Sequence, residues 1–152
     1  MQGLGYINEL LARLTNTSVV DHTQTNATLD ADPATFPLGR ALYADFSHDN
    51  QMIAIYAAMG LFEQSSALNT TKPSSKRTWL AAKLVPFSAR MVVEKLQCGK
   101  TEKVRVLVND ALQPLEFCGS GNGVCTLDAF VKSQSYARNN GEGDFERCFA
   151  SS

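Results

Sequence analysis

The sequence has no marked excess of either charge: 14 Lys and Arg face 15 Asp and Glu, and the net charge is −1. It therefore has no basic stripe, and nucleic acid is not an expected partner. No run approaches ~18 apolar residues, the least that a transmembrane helix needs, so no membrane span is expected. The opening residues carry neither the basic n-region nor the apolar h-region of a signal peptide, so no leader is expected. Histidine is scarce, with only His22 and His48. No cluster has metal-ligand spacing, so neither a metal nor another cofactor is expected. Internal repeats and low-complexity tracts are also lacking.

What is there is ordinary for a globular chain: 152 residues, 44% hydrophobic and 19% charged, enough to bury one core. The most informative stretch is Leu42-Tyr43-Ala44-Asp45-Phe46-Ser47-His48-Asp49-Asn50, followed by Gln51 to Leu61. Its first half reads as a buried strand. Its second half sets Met52, Ile55, Tyr56 and Met59 on one helical face. Polar groups thus gather at the carboxyl end of a strand, just before a helix whose free N–H groups attract anions. An imidazole beside a carboxyl group can move protons on a phosphate or acyl substrate. The bland alternative makes Asp49 a helix N-cap and His48 a partly buried hydrogen-bonding residue.

Around this stretch the periodicities assign the other elements. Ile7, Leu10, Leu11 and Leu14 predict a helix over Tyr6–Leu14, with Glu9 and Arg13 paired on its exposed side. Thr15 to Pro37 and Glu63 to Arg77 are polar and read as loops. His22, beside Asp21, falls in the first of them and reads as a surface residue. Alternation predicts strands from Phe87 to Glu94 and over Val104–Val108. Asn109-Asp110 tolerates the positive φ of a tight turn, and Leu112–Leu115 returns as an edge strand because Pro114 cannot donate. A last helix starts with Thr126 as N-cap, buries Leu127, Phe130 and Val131, and ends at Asn139-Asn140-Gly141.

Four cysteines allow three connectivities. Cys118 and Cys125 flank a glycine-rich hexapeptide that readily closes a bridge, which leaves Cys98 with Cys148. Asn-x-Ser/Thr sequons at Asn16, Asn26 and Asn69 are candidate glycosylation sites, and with the cysteines they point to a secreted, extracellular protein.

The segment Tyr43-Ala44-Asp45-Phe46-Ser47-His48-Asp49-Asn50 resembles the His-Asp segment of fungal histidine acid phosphatases, specifically the phytases. Gly3 to Thr15, Pro33-Ala34-Thr35-Phe36-Pro37-Leu38, Val104 to Asp110 with Pro114-Leu115, and Phe145-Glu146-Arg147-Cys148-Phe149 are similar to further family segments, in family order. The linker before Trp79-Leu80-Ala81-Ala82-Lys83-Leu84-Val85-Pro86-Phe87 is shorter than usual, which puts that rim's geometry in question.

The resemblance implies an α/β class: the C-terminal part of the histidine acid phosphatase (phosphoglycerate mutase-like) fold, a mixed sheet flanked by helices. Residues 1–152 would form the C-terminal third of such a domain. The family's Arg-His-Gly-x-Arg-x-Pro motif, whose histidine is phosphorylated, has no counterpart here. The expected partner is an N-terminal chain carrying that histidine and the phosphate-binding arginines, and Cys98 and Cys148 would each bridge to it. In that reading a nicked or split enzyme hydrolyses phytate (myo-inositol hexakisphosphate) or other phosphomonoesters at acid pH. Asp49 gives a proton to the leaving oxygen, His48 binds phosphoryl oxygens, and Asn50 caps the helix and lines the site. The alternatives are a broad-specificity acid phosphatase of the same family and a non-catalytic secreted domain.

Overall fold

The computed structural model describes residues 2–150. Leu4, Ile7, Leu11 and Leu14 recur at helical spacing and are buried together, which makes the first helix, α1 (Leu4–Thr15). It is slightly longer at both ends than its periodicity predicts. It closes on Asn16 at φ 57°, a left-handed conformation that Asn tolerates better than most residues. Its opening residue, Gly3, is fixed by packing. A β-carbon there would lie 2.7 Å from the carbonyl oxygen of Ala54, so only glycine lets the two helices meet.

Asn26 begins a short helix, α2 (Ala27–Ala31), inside the stretch read as a plain loop; its side chain accepts from the N–H groups of Thr28 and Leu29. The helix after the His-Asp pair, α3 (Asp49–Met59), buries the expected face: Ile55, Tyr56 and Met59, with Met52 half-buried. Trp79 packs edge-on against Phe62, and Phe62 against Tyr56, before the single turn α4 (Ala81–Leu84).

The sheet has four strands, β1 (Met91–Cys98), β2 (Thr101–Val108), β3 (Ala111–Leu112) and β4 (Cys125–Thr126). β2 lies inside it, with β1 along one edge and β3 and β4 along the other, and every pairing is antiparallel. Val104, Val106 and Val108 point one way from β2 and are buried. The β2–β3 turn has Asn109 at φ 49° and Asp110 at φ 66°, the two positive values of the predicted tight turn. Thr126 caps α5 (Leu127–Ser133) through the N–H of Ala129, as expected, and Phe130 is wholly buried. The helical run breaks at Gln134 and resumes as α6 (Ser135–Arg138). Gln134 is buried there and donates to the carbonyl of Met59, tying α3's end to the last helices. One apolar cluster joins α1, α3, β2 and α5, so helices pack on a sheet in the α/β manner expected.

Several local expectations need correction. Residues 42–46 belong to no strand, and they are not buried: Leu42 is 82% exposed and Phe46 fully so. An apolar run becomes a strand only where a neighbour supplies ladder partners, and none of the described residues does so here. The strand expected from Phe87 begins at Met91, because Pro86 to Ala89 closes a turn with Ser88 at φ 60°. The return strand shrinks to two residues, and Leu115 takes φ 53°.

Candidate active site

The candidate site is the junction between residues 42–48 and α3. His48 keeps an extended backbone (φ −118°, ψ 161°), and its carbonyl accepts the helix's first bond from Met52 at 2.9 Å. His48, and not Asp49, is therefore the N-cap residue, although its imidazole makes no capping bond. Asp49 opens the helix, and its Oδ1 accepts from the N–H of Asn50 at 2.8 Å. Asn50 sits inside the first turn, so the expectation that it caps the helix is not met. All three side chains are exposed, so the partly buried histidine of the bland reading is also absent. Ser47 Oγ bonds Gln51 Oε1 across the junction.

Two hollows flank this junction. Asn50 and Gln51 line a cleft of about 440 Å³ with Gly3, Tyr6, Glu9 and Gln24. Its wall holds two perturbed groups. Burial, reinforced by the nearby Asp45 carboxylate, pushes the Tyr6 hydroxyl up to about 12, so it stays protonated. Burial also raises the Glu9 carboxyl, with Asp30 adding to it and Arg13 working against it. Tyr6 also lines a second groove, of about 800 Å³, between residues 40–45 and β1, with Leu10, Arg13 and Leu14 among its other lining residues.

Arg13 does not form the expected pair with Glu9. Its Nη1 lies 2.5 Å from Asp45 Oδ2, and its side chain is only 14% exposed. Its guanidinium stands 4.8 Å from the Phe36 ring centre and 5.0 Å from that of Tyr43. The sequence reading likewise saw Asp21 only as a neighbour of His22. Asp21 in fact accepts from the N–H groups of Thr23, Gln24 and Thr25, from Thr23 Oγ1 and from Asn8 Nδ2, all at 2.8–3.0 Å. Its burial acts to raise the carboxyl, yet these donors outweigh it and hold the group down at about 2. The available signal was Asp followed two residues later by Thr, the spacing of a side chain that caps its own loop. His22 is exposed, as expected, and its N–H donates to Asn140 Oδ1.

Cys118 and Cys125 form the expected disulfide, with Cα atoms 5.8 Å apart. Cys98 and Cys148 carry free, exposed thiols, so the pair that spacing alone leaves over is not made. The side chains of Asn26 and Asn69 both accept local bonds through Oδ1, and all three sequon asparagines are exposed. Among the described residues, no group of three or more His, Cys, Asp or Glu side chains could hold a metal ion.

Helices packed on an antiparallel sheet agree with the fold that a solved relative shares with this chain. Residues 1–109 match the profile of the histidine phosphatase superfamily (branch 2), and the chain belongs to that family. Among curated proteins it is 49% identical to a Phytase A from Emericella nidulans, over 97% of this chain and 33% of that protein. It is 46% identical to a Phytase A from Aspergillus oryzae, over 98% of this chain and 33% of that protein. The solved structure of the phytase from D. castellii superposes with a TM-score of 0.66 over 91% of this chain and 26% of the other, at 22% identity, a likeness of fold. The chain spans about a third of the length of the curated relatives it matches.

Proposed function

We propose that this chain is the C-terminal third of a phosphomonoesterase that hydrolyses phytate at acid pH, with Asp49 as the proton donor. His48 hydrogen-bonds the phosphoryl oxygens and steadies the charge that builds on them. The histidine that takes the phosphoryl group, and the arginines that hold it, lie on an N-terminal part. An alkoxide leaves poorly, so a positioned acid is worth about 10²–10⁴-fold in rate. Asn50, which lines the 440 Å³ cleft, contributes to binding the substrate.

The observation that carries this reading is the exposed His48-Asp49 pair at the start of α3, in a chain closely similar to proteins called Phytase A. The need for an N-terminal part draws support from the 800 Å³ groove. β1 pairs on one side only, and residues 42–46 carry no ladder bonds, so among the described residues two runs of backbone groups around that groove lack sheet partners. The exposed thiols of Cys98 and Cys148 are available for bridges to the same part. The exposed sequons and the internal disulfide favour a secreted glycoprotein.

The test is Asp49→Asn in the assembled enzyme, with kcat/KM measured on phytate and on 4-nitrophenyl phosphate. This ratio constant reports the step that expels the alcohol. A nitrophenolate needs little protonation to leave, so the loss on phytate should be much the larger. Equal losses on both substrates would reject Asp49 as the acid.

A further inference from the structure

We infer that Arg13 is a positioning residue for the His48-Asp49 pair, acting through Asp45 and Tyr43; the inference rests on the reading of Asp49 as proton donor. Residues 41–48 run from the body of the protein to the site with little to fix them. Their backbone is in no sheet, and Leu42 and Phe46 face outward. The side-chain bond from Ser47 reaches only into α3, and the Tyr43 hydroxyl accepts only from the N–H of Arg40. Among the described residues, the Arg13–Asp45 pair is the one hydrogen bond or ion pair that ties residues 41–48 to the chain outside this segment, its adjoining Arg40 and α3.

Arg13 suits this task in a way that Lys would not. Its flat guanidinium is gripped by the Phe36 and Tyr43 rings while one nitrogen reaches Asp45. Each contact removes a direction of freedom from the segment, and Asp45 is only three residues before His48. Arg13 also belongs to the helix that meets α3 through Gly3 and Ala54. α1 therefore holds the junction from both sides, Gly3 against the helix that Asp49 opens and Arg13 against the strand-like lead-in. A proton donor must sit within hydrogen-bond reach of the departing oxygen, so slack in this lead-in falls on the reaction that most needs the proton.

The experiment uses the assembled enzyme with Arg13→Met, which keeps the stem without the charge, and Arg13→Lys, which keeps the charge without the flat fork. The readout is the ratio of kcat/KM on phytate to kcat/KM on 4-nitrophenyl phosphate. That ratio does not depend on how much of a preparation is folded. It should fall by roughly 10-fold or more in both variants, by the sensitivity of such chemistry to small misplacements. In an Asp49→Asn background, Arg13→Met should leave the ratio where Asp49→Asn already put it. A ratio within about twofold of wild type, or the same fall without Asp49, would overturn the inference while leaving the proton-donor reading in place. If Asp49→Asn alone fails to separate the two substrates, the proton-donor reading falls and this inference falls with it.

Discussion

The loop that begins at Asp21 should be the most acid-sensitive part of the chain. The carboxylate accepts five bonds, three of them from consecutive N–H groups at Thr23, Gln24 and Thr25. Its partner Asn8 is buried and also donates to the carbonyl of Ala137 at 3.1 Å, so one carboxylate ties the loop to α1 and α6. The folded group titrates at about 2 against an ordinary 3.8. A depressed carboxyl contributes stability that is complete above the ordinary value and is lost as pH falls through the folded one. The full shift converts to about 2 kcal/mol, and since Asp21 is partly exposed, solvent screening reduces this to about 1 kcal/mol. Urea unfolding of the protein, with amide exchange at Thr23–Thr25 as a local monitor, should show wild-type stability declining between pH 4 and pH 2. Asp21→Asn should be weaker at pH 6, and its difference from wild type should shrink across that same window. Parallel curves for the two proteins would refute the reasoning, because the loop's bonds would then not depend on the charge.

Two further outcomes follow from single side chains. Glu9 has its carboxyl raised by burial and by Asp30, so its ionisation weakens the fold as pH rises from the ordinary 4.5, and fully once pH exceeds the raised value. Glu9→Gln should therefore stabilise the protein at pH 7 and leave thermal unfolding at pH 4 unchanged. The Cys118–Cys125 bridge spans seven residues of sequence, and replacing both cysteines by serine should cost about 2–3 kcal/mol in chemical unfolding.

Much of the fold was legible because its causes are local. The stripe in α1, the face of α3, the valines of β2, the Asn109-Asp110 turn and the Thr126 cap each depend on residues a few positions apart. The short loop between Cys118 and Cys125 belongs with them. What was misread depends on distant partners. Spacing gave Arg13 a local partner in Glu9, yet Asp45, 32 residues away, combines with two aromatic rings to outweigh it. Asp21's loop bonds are local, but its hold on buried Asn8 is a tertiary contact that no spacing rule reports. Leu42–Phe46 has strand composition, and composition says nothing about whether another strand lies alongside. The start of α3 falls at the polar junction that the sequence predicts, while the identity of its N-cap, His48, is decided by backbone geometry one residue earlier than the usual cap preference suggests.

The unpaired lead-in bears on how the site is held. Leu42, Phe46 and Phe87 all stand more than four-fifths exposed. Covering three such side chains would contribute about 5–9 kcal/mol, comparable with the whole net stability of a typical domain. A partner that covers them would thus contribute on the order of a typical domain's net stability, and would press on the segment that carries His48. Such pressure can set the site only if the segment has a hard stop on its inner side. Arg13, over the rings of Phe36 and Tyr43 with Asp45 at its tip, is placed as that stop, and Gly3 packs close against the Ala54 backbone of α3. Geometry at Asp49 would then be fixed by compression between an internal clamp and an external cover. Loosening the clamp should harm catalysis even where the cover, and overall stability, are intact.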